Sequence, residues 1–257
     1  MLLTKWISKQ TQMNHLCHTG IIIFACTSNL RCLCNEVQEI FIDGTFKCCS
    51  KYFLQMYNIH GLKNGHYVSI VFTLLSGKSE LVYCKMWTSV ASLCKGLDLN
   101  LSPETIHIDF EVAMHNNVLR DIFTNSRILC CRFYLGQAWW RKIQVLRLSP
   151  QDKENNIEVG KWLKRSFGLH FPKPFDVEDS ITEDIMPECP DPRCERFADY
   201  LVENYVTVVS KFPPEMWACE PSEDKRTNNG TESFHVHLNE QFYSVHPTIY
   251  IFTGFPY

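Results

Sequence analysis

The chain has 257 residues, room for one large domain or two modest ones, and 45% of them are hydrophobic, which excludes a disordered tail. Its 25 basic and 28 acidic residues leave a formal charge of −3, so it lacks the overall basic excess of a dedicated DNA-binding module. Any contact with nucleic acid must therefore be local. Thirteen cysteines, an odd number that includes the adjacent pairs Cys48-Cys49 and Cys130-Cys131, fit poorly with a simple disulfide framework, and reduced thiols of the cytosol or nucleus are expected. No signal-peptide progression opens the chain, and its longest early apolar stretch, 21–26, is too short to cross a bilayer; no membrane partner is expected.

Three runs rich in aromatic and β-branched residues follow one another at 37–46, 53–62 and 67–75, with breaks containing Cys-Cys-Ser-Lys and Lys-Asn-Gly-His. Breaks this short predict hairpins, hence three antiparallel neighbours. Over 79–95, Leu81, Val82, Met86, Val90 and Leu93 recur at helical spacing, with Ser79 as a start signal and Gly96 as a stop. Pro103 precedes a strand over 105–110. Val112, Leu119, Ile122 and Phe123 then predict a second amphipathic helix, and 127–133 a fifth strand. Strand, helix, strand, helix, strand after a meander gives an α/β fold, a mixed sheet flanked by helices.

Beyond residue 135 the strand signal fades. Residues 137–148 and 158–167 read as helices, 171–192 as an irregular connector rich in Pro and acid, and 193–210 as helical again. The chain divides accordingly into a segment 1–35 leading into the core, a core over 36–135, a helical insertion over 136–225, and a returning C-terminal helix over 226–257. That last stretch ends apolar and without a capping signal, so truncation there is expected.

Three acidic residues stand out. Asp43 in Ile-Phe-Ile-Asp-Gly-Thr-Phe and Asp109 in Ile-His-Ile-Asp-Phe-Glu each end an apolar run that reads as a buried strand, and Glu232 in Arg-Thr-Asn-Asn-Gly-Thr-Glu opens a helical stretch marked by Phe234, Leu238 and Phe242. A carboxylate at a buried strand end is costly unless something cationic meets it. Three that converge could hold two divalent ions and drive phosphoryl transfer on nucleic acid. Each also has a local alternative: an Asp-Gly turn at Asp43, a helix N-cap at Asp109, and a capping box between Asn229 and Glu232.

The ordered motifs separate these readings. Asp-Gly-Thr-Phe-Lys-Cys-Cys (43–49), Phe-Leu-Gln-Met-Tyr-Asn-Ile-His-Gly (53–61), Asp-Phe-Glu (109–111), Cys-Arg-Phe-Tyr-Leu-Gly-Gln (131–137) and Arg-Thr-Asn-Asn-Gly-Thr-Glu-Ser-Phe-His (226–235) together resemble the Mutator-like element (MULE) transposase domain, from about Ile21 to Phe252. The resemblance implies an RNase H-like core interrupted by a helical insertion before the third acidic residue. It implies that Asp43, Asp109 and Glu232 are catalytic and ligate two Mg²⁺ or Mn²⁺ ions. DNA, as transposon ends and target, would be the substrate, a homo-oligomer the assembly, and the nucleus the location. No zinc-finger or helix-turn-helix pattern is present, so the recognition module is expected elsewhere.

One motif departs from the family, which commonly has Cys-x-x-His after the fifth strand; here Cys131 is followed by Tyr134, and a phenol does not replace imidazole as a neutral ligand or proton carrier. A catalytically silent, transposase-derived DNA- or protein-binding protein is the alternative that this substitution raises. Arg226, beside the third motif, and Arg141 and Lys142, next to Trp139 and Trp140, are the candidate DNA contacts. His15, Cys17, His18, Cys26, Cys32 and Cys34 match no common zinc spacing.

Overall fold

The computed structural model describes residues 12–16 (as backbone), 20–46, 49–110, 118–149, 157–207 and 209–219. They form two compact units divided after Ile128.

The first unit is built on strands β1 (Gln12–Leu16), β2 (Ile21–Ala25), β3 (Glu39–Thr45), β4 (Gln55–Lys63), β5 (His66–Leu75) and β6 (Thr105–Ile108), and β7 (Arg127–Cys130) completes the sheet. Their order is β1-β2-β5-β4-β3-β6-β7. The pairings β1–β2, β2–β5, β5–β4 and β4–β3 are antiparallel, whereas β3 and β6 run parallel. The result is a mixed sheet flanked by helices, compatible with an RNase H-like fold.

The three-stranded meander forms as its pattern predicts. Asn64 and Gly65 take φ of 50° and 78°, the left-handed pair that a two-residue hairpin loop requires, and they close β4 on β5 with Lys63 opposite His66. Strands β1 and β2 were not foreseen. The run Ile21–Ala25 is buried throughout and pairs with β5, Ile21 opposite Leu75, so the meander continues into the N-terminal segment.

Helix α1 (Thr27–Asn35) buries Leu30 and Leu33, and Asn29 Nδ2 donates to the Ile70 carbonyl at 3.2 Å. Helix α2 (Glu80–Lys95) buries Tyr83, Met86, Trp87, Val90 and Cys94. It is fixed to the sheet where Gln55 Nε2 donates to the Tyr83 hydroxyl at 2.8 Å and the Thr73 hydroxyl meets Met86 Sδ at 3.4 Å. Ser79 stands at its N-cap and Gly96 at its C-cap, but Gly96 keeps a right-handed φ of −65°. The reversal comes two residues later at Asp98 (φ 57°), with Asp98 N–H on the Lys95 carbonyl and Leu99 N–H on the Cys94 carbonyl. Aspartate tolerates this region better than most non-glycine residues, so the expected glycine stop is an aspartate Schellman turn. Helix α3 (Val118–Ile122) buries Val118 and Leu119, and Phe123 meets Trp87 edge-on at 5.1 Å.

The second unit, described to residue 219, is helical. The strand expected over 127–133 stops at Cys130: Cys131 is an N-cap and α4 runs Arg132–Val145. Helical periodicity wins there because Leu135, Trp139 and Ile143 form one buried stripe. Helix α5 (Ile157–Gly168) follows. The connector expected to be irregular is instead helical from 174 to 185, as successive turns Pro174–Asp176, Val177–Asp179 and Ser180–Ile185. Pro174 occupies its first turn, where a missing N–H costs nothing, and Val177, Ile181 and Ile185 are buried at i, i+4, i+8. Helix α6 (Pro192–Leu201) begins at Asp191, whose carboxylate accepts the Arg193 N–H, and continues as a wider helix over Val202–Val206.

The core of this unit gathers on Trp139, whose ring lies 4.6 Å from His170, 5.8 Å from Tyr205 and 5.7 Å from Trp217. Arg132 ties the unit together by donating to the carbonyls of His170 and Cys219, and Trp162 Nε1 donates to the Ile185 carbonyl.

Candidate functional site

Strand β3 is an interior strand, between β4 and β6, and Ile40, Phe41 and Ile42 are fully buried, as in a strand covered on both faces. Asp43 comes next and is 1% exposed. The Asp-Gly turn considered for it does not occur. The ladder runs through Asp43, Gly44 and Thr45, paired with Asn58, Tyr57 and Met56 of β4. Gly44 is needed for space, since a Cβ there would stand 3.0 Å from Gln55 Oε1 and 3.2 Å from the Tyr57 ring.

Strand β6 lies parallel against β3, with Ile40 beside Ile106 and Phe41 beside His107. The Phe41 and His107 rings stack at 4.1 Å and 3°, confirming that these two positions share a face. Two residues on from that pair, along both strands, come Asp43 and Asp109. Side chains two apart in extended chain return to the same face, and neighbouring strands are about 4.8 Å apart, so the register brings the two aspartates side by side at one strand edge. Asp109 is half-buried and lies one residue beyond the end of β6.

The same face of β4 presents Asn58 directly opposite Asp43. Asn58 is fully buried, and neither its Oδ1 nor its Nδ2 has a hydrogen-bond partner among the described residues. An orphaned carboxamide next to a buried carboxylate is what a site for an oxygen-coordinated cation, or for its water, leaves behind when described as protein alone. Sequence reading missed Asn58, because its signal is burial and register, not residue type. His107 also lines this face, with Nε2 3.3 Å from Glu39 Oε2.

Glu232, Arg226 and Glu111 lie outside the described residues, as does the start of the helix that Asp109 would cap. Among the described residues no three His, Cys, Asp or Glu side chains group as a metal site. Of the residues weighed for zinc, Cys17 and His18 lie outside the described set, His15 is described as backbone only, and Cys26, Cys32 and Cys34 are free thiols. Cys26 Sγ contacts the Ser28 hydroxyl at 3.2 Å, and the Cys34 thiol hydrogen-bonds the Cys94 thiol, whose pKa burial pushes up to about 12.

In the helical unit, Tyr134 is half-buried in the first turn of α4, its ring 5.6 Å from Phe133. Arg141 is exposed and bonds Gln137, and the Lys142 ammonium lies 4.9 Å from the Tyr200 ring centroid.

A mixed sheet of this order, with acidic residues near the C-terminal ends of two adjacent parallel interior strands, is compatible with the RNase H-like class. Residues 39–138 match the family model of the MULE transposase domain, to which this stretch is similar. The match spans β3 to β7 and both aspartates. A comparison with curated proteins finds none that matches the chain. No helix among the described residues is long and apolar enough to cross a membrane.

Proposed function

We propose that the chain is a DDE-type transposase catalytic domain that cuts and joins DNA by in-line phosphoryl transfer. The observation that supports this best is the parallel register of β3 and β6, which sets Asp43 beside Asp109. Hard oxygen donors of this kind suit Mg²⁺ or Mn²⁺, and the orphaned Asn58 carboxamide fits the same chemistry. When bound, two such ions lower the cost of activating a water or a 3′-hydroxyl and stabilise the leaving oxygen.

In this reading Asp43 and Asp109 hold the ions from adjacent strands, and Glu232 completes the set after the helical stretch, which is then an insertion in an RNase H-like core. The rigid β3–β6 pair fixes the spacing of the first two carboxylates, so no loop closure is needed to bring them together. No covalent nucleophile is required of the protein. DNA is the partner, a homo-oligomer would bring two ends together, and the nucleus is where both would be met.

The test is cleavage and strand transfer on DNA carrying candidate transposon ends, in Mn²⁺, for the wild type, Asp109→Asn and Tyr134→His. Activity that Asp109→Asn abolishes supports the proposal. Absence of activity in the wild type and in Tyr134→His, with a DNA-binding domain fused, refutes it and leaves the silent derivative.

A further inference from the structure

The sheet edge that carries Asp43 is also where three large apolar side chains stand in the open. Phe46 is 45% exposed, Tyr52 70% and Leu54 48%. They are not scattered. The Leu54 N–H bonds the Leu75 carbonyl at 2.8 Å, which ties the β3–β4 connection to the end of β5 and the turn that follows it. The Lys78 ammonium, from that turn, sits 4.5 Å from the Phe46 ring centroid, and Lys51 sits 5.1 Å from that of Tyr52. Phe46 is three residues beyond Asp43, roughly 10 Å along the strand.

Charge sharpens the picture. The two connections, 46–54 and 76–79, contain no aspartate or glutamate and three lysines, Lys47, Lys51 and Lys78, in a protein whose formal charge is −3. Flat rings with lysines beside them and no nearby anion on either connection complement a ligand that offers both phosphates and bare π-faces. A duplex hides its base faces in the stack; an unpaired strand exposes them.

We propose that Phe46, Lys51, Tyr52, Leu54 and Lys78 form a docking surface for an unpaired DNA strand entering the carboxylate edge. The choice of DNA rests on the proposed function; the preference for an unpaired strand rests on the surface alone. Tyr52 and Phe46 stack bases without reading their identity, Leu54 packs against the sugar, and Lys51 and Lys78 meet phosphates. The phosphate entering the aspartates is thereby held on a strand already separated from its complement.

Fluorescence anisotropy of the 257-residue chain in EDTA tests this apart from catalysis, using a fluorescein-labelled twelve-nucleotide thymidine strand, its duplex with the complement, and the matching uridine RNA. The single strand should bind at least tenfold tighter than the duplex. Tyr52→Ala, at an exposed position where folding is not at stake, should weaken it about 5- to 150-fold, the usual worth of one stacked base. Lys51→Gln with Lys78→Gln should lower the slope of log affinity against log salt by about 1.4, two phosphate contacts on a single strand.

Equal or tighter duplex binding, a change under twofold in Tyr52→Ala, or a tenfold preference for RNA each overturns the proposal. Cleavage by a chain whose single-strand binding ignores Tyr52 leaves the enzyme standing and removes this surface. Tyr52-dependent binding with no cleavage under any condition keeps the surface and removes the enzyme.

Discussion

Replacing Asn58 by leucine should make the metal-free protein more stable. The carboxamide is fully buried with both polar atoms unpartnered among the described residues, and such a group costs about 1–3 kcal/mol in desolvation that no hydrogen bond returns. Leucine has the same branching and heavy-atom count and no polar atom to strand, although its bulkier methyl groups take back part of the gain by crowding. At roughly 2–4 °C per kcal/mol for a protein of this size, thermal unfolding in EDTA should move up by about 2–12 °C. The complementary variant, Asn58→Asp, puts a second carboxylate directly opposite Asp43, with Cβ atoms about 5 Å apart, a repulsion of about 3 kcal/mol at an effective dielectric of 20. Burial and this neighbour raise the new carboxyl's pKa when folded, so its penalty is absent below the unfolded value of about 3.9 and grows as pH rises from there. Unfolding scans at pH 4 and 7, with and without Mn²⁺, read both effects: Mn²⁺ should shrink the leucine variant's advantage and relieve the aspartate variant at pH 7. A leucine variant that unfolds at lower temperature than the wild type in EDTA would mean that the carboxamide is engaged, and the reasoning about this site fails.

Mn²⁺ at 100 times its dissociation constant should stabilise the wild type by about 2.7 kcal/mol, and Asp109→Asn should lose most of that upshift in differential scanning fluorimetry; an equal upshift places the ion elsewhere. Gly61→Ala should cost about 1–3 kcal/mol by urea denaturation, because a Cβ there would stand 2.7 Å from both Ile70 Cδ1 and Val37 Cγ2, whereas Gly160→Ala in α5, with nothing within 4 Å, should gain about 0.5–1 kcal/mol. Burial, aided by the Arg132 charge and opposed by the Phe167 carbonyl, holds His170 below its usual 6.5. Its neutral form therefore contributes stability that is complete above pH 6.5 and is lost as pH falls through the folded value, with a slope of up to about 1.4 kcal/mol per pH unit. Urea unfolding of the helical unit, followed by tryptophan fluorescence between pH 7.5 and 5.5, should show that slope, and His170→Phe should flatten it.

Local signals in the sequence were strong where the physics is local. Asn64-Gly65 announces a hairpin through its left-handed backbone, and the apolar spacing of α2 announces a helix with one buried face. What was not legible depends on partners distant in sequence. Residues 21–25 look like any short apolar run until β5 is there to pair with them, half a hundred residues later. Gly44 was read through its flexibility, whereas its role is set by Gln55 and Tyr57 across the ladder. The helical turns from 174 to 185 were obscured by composition: Pro and acid suggested a loop, but Pro174 fits a first turn, and three buried aliphatics at helical spacing outweighed the acids. At the site, residue type pointed to Asp43 and Asp109, and only the β3–β6 register could set them side by side or bring Asn58 into view.

The pairing of β2 with β5 has a practical corollary. The family match begins at residue 39, an obvious place to start a recombinant fragment, yet a fragment cut there would lack both β2 and α1. Its β5 would then offer the unsatisfied backbone of Phe72–Leu75, inside the uncharged run 70–75, to any other strand in solution. Such a piece would be prone to edge-to-edge aggregation, and its insolubility would say nothing about the carboxylates it carries. The stretch that evolution marks as a family and the stretch that can be purified alone have different beginnings.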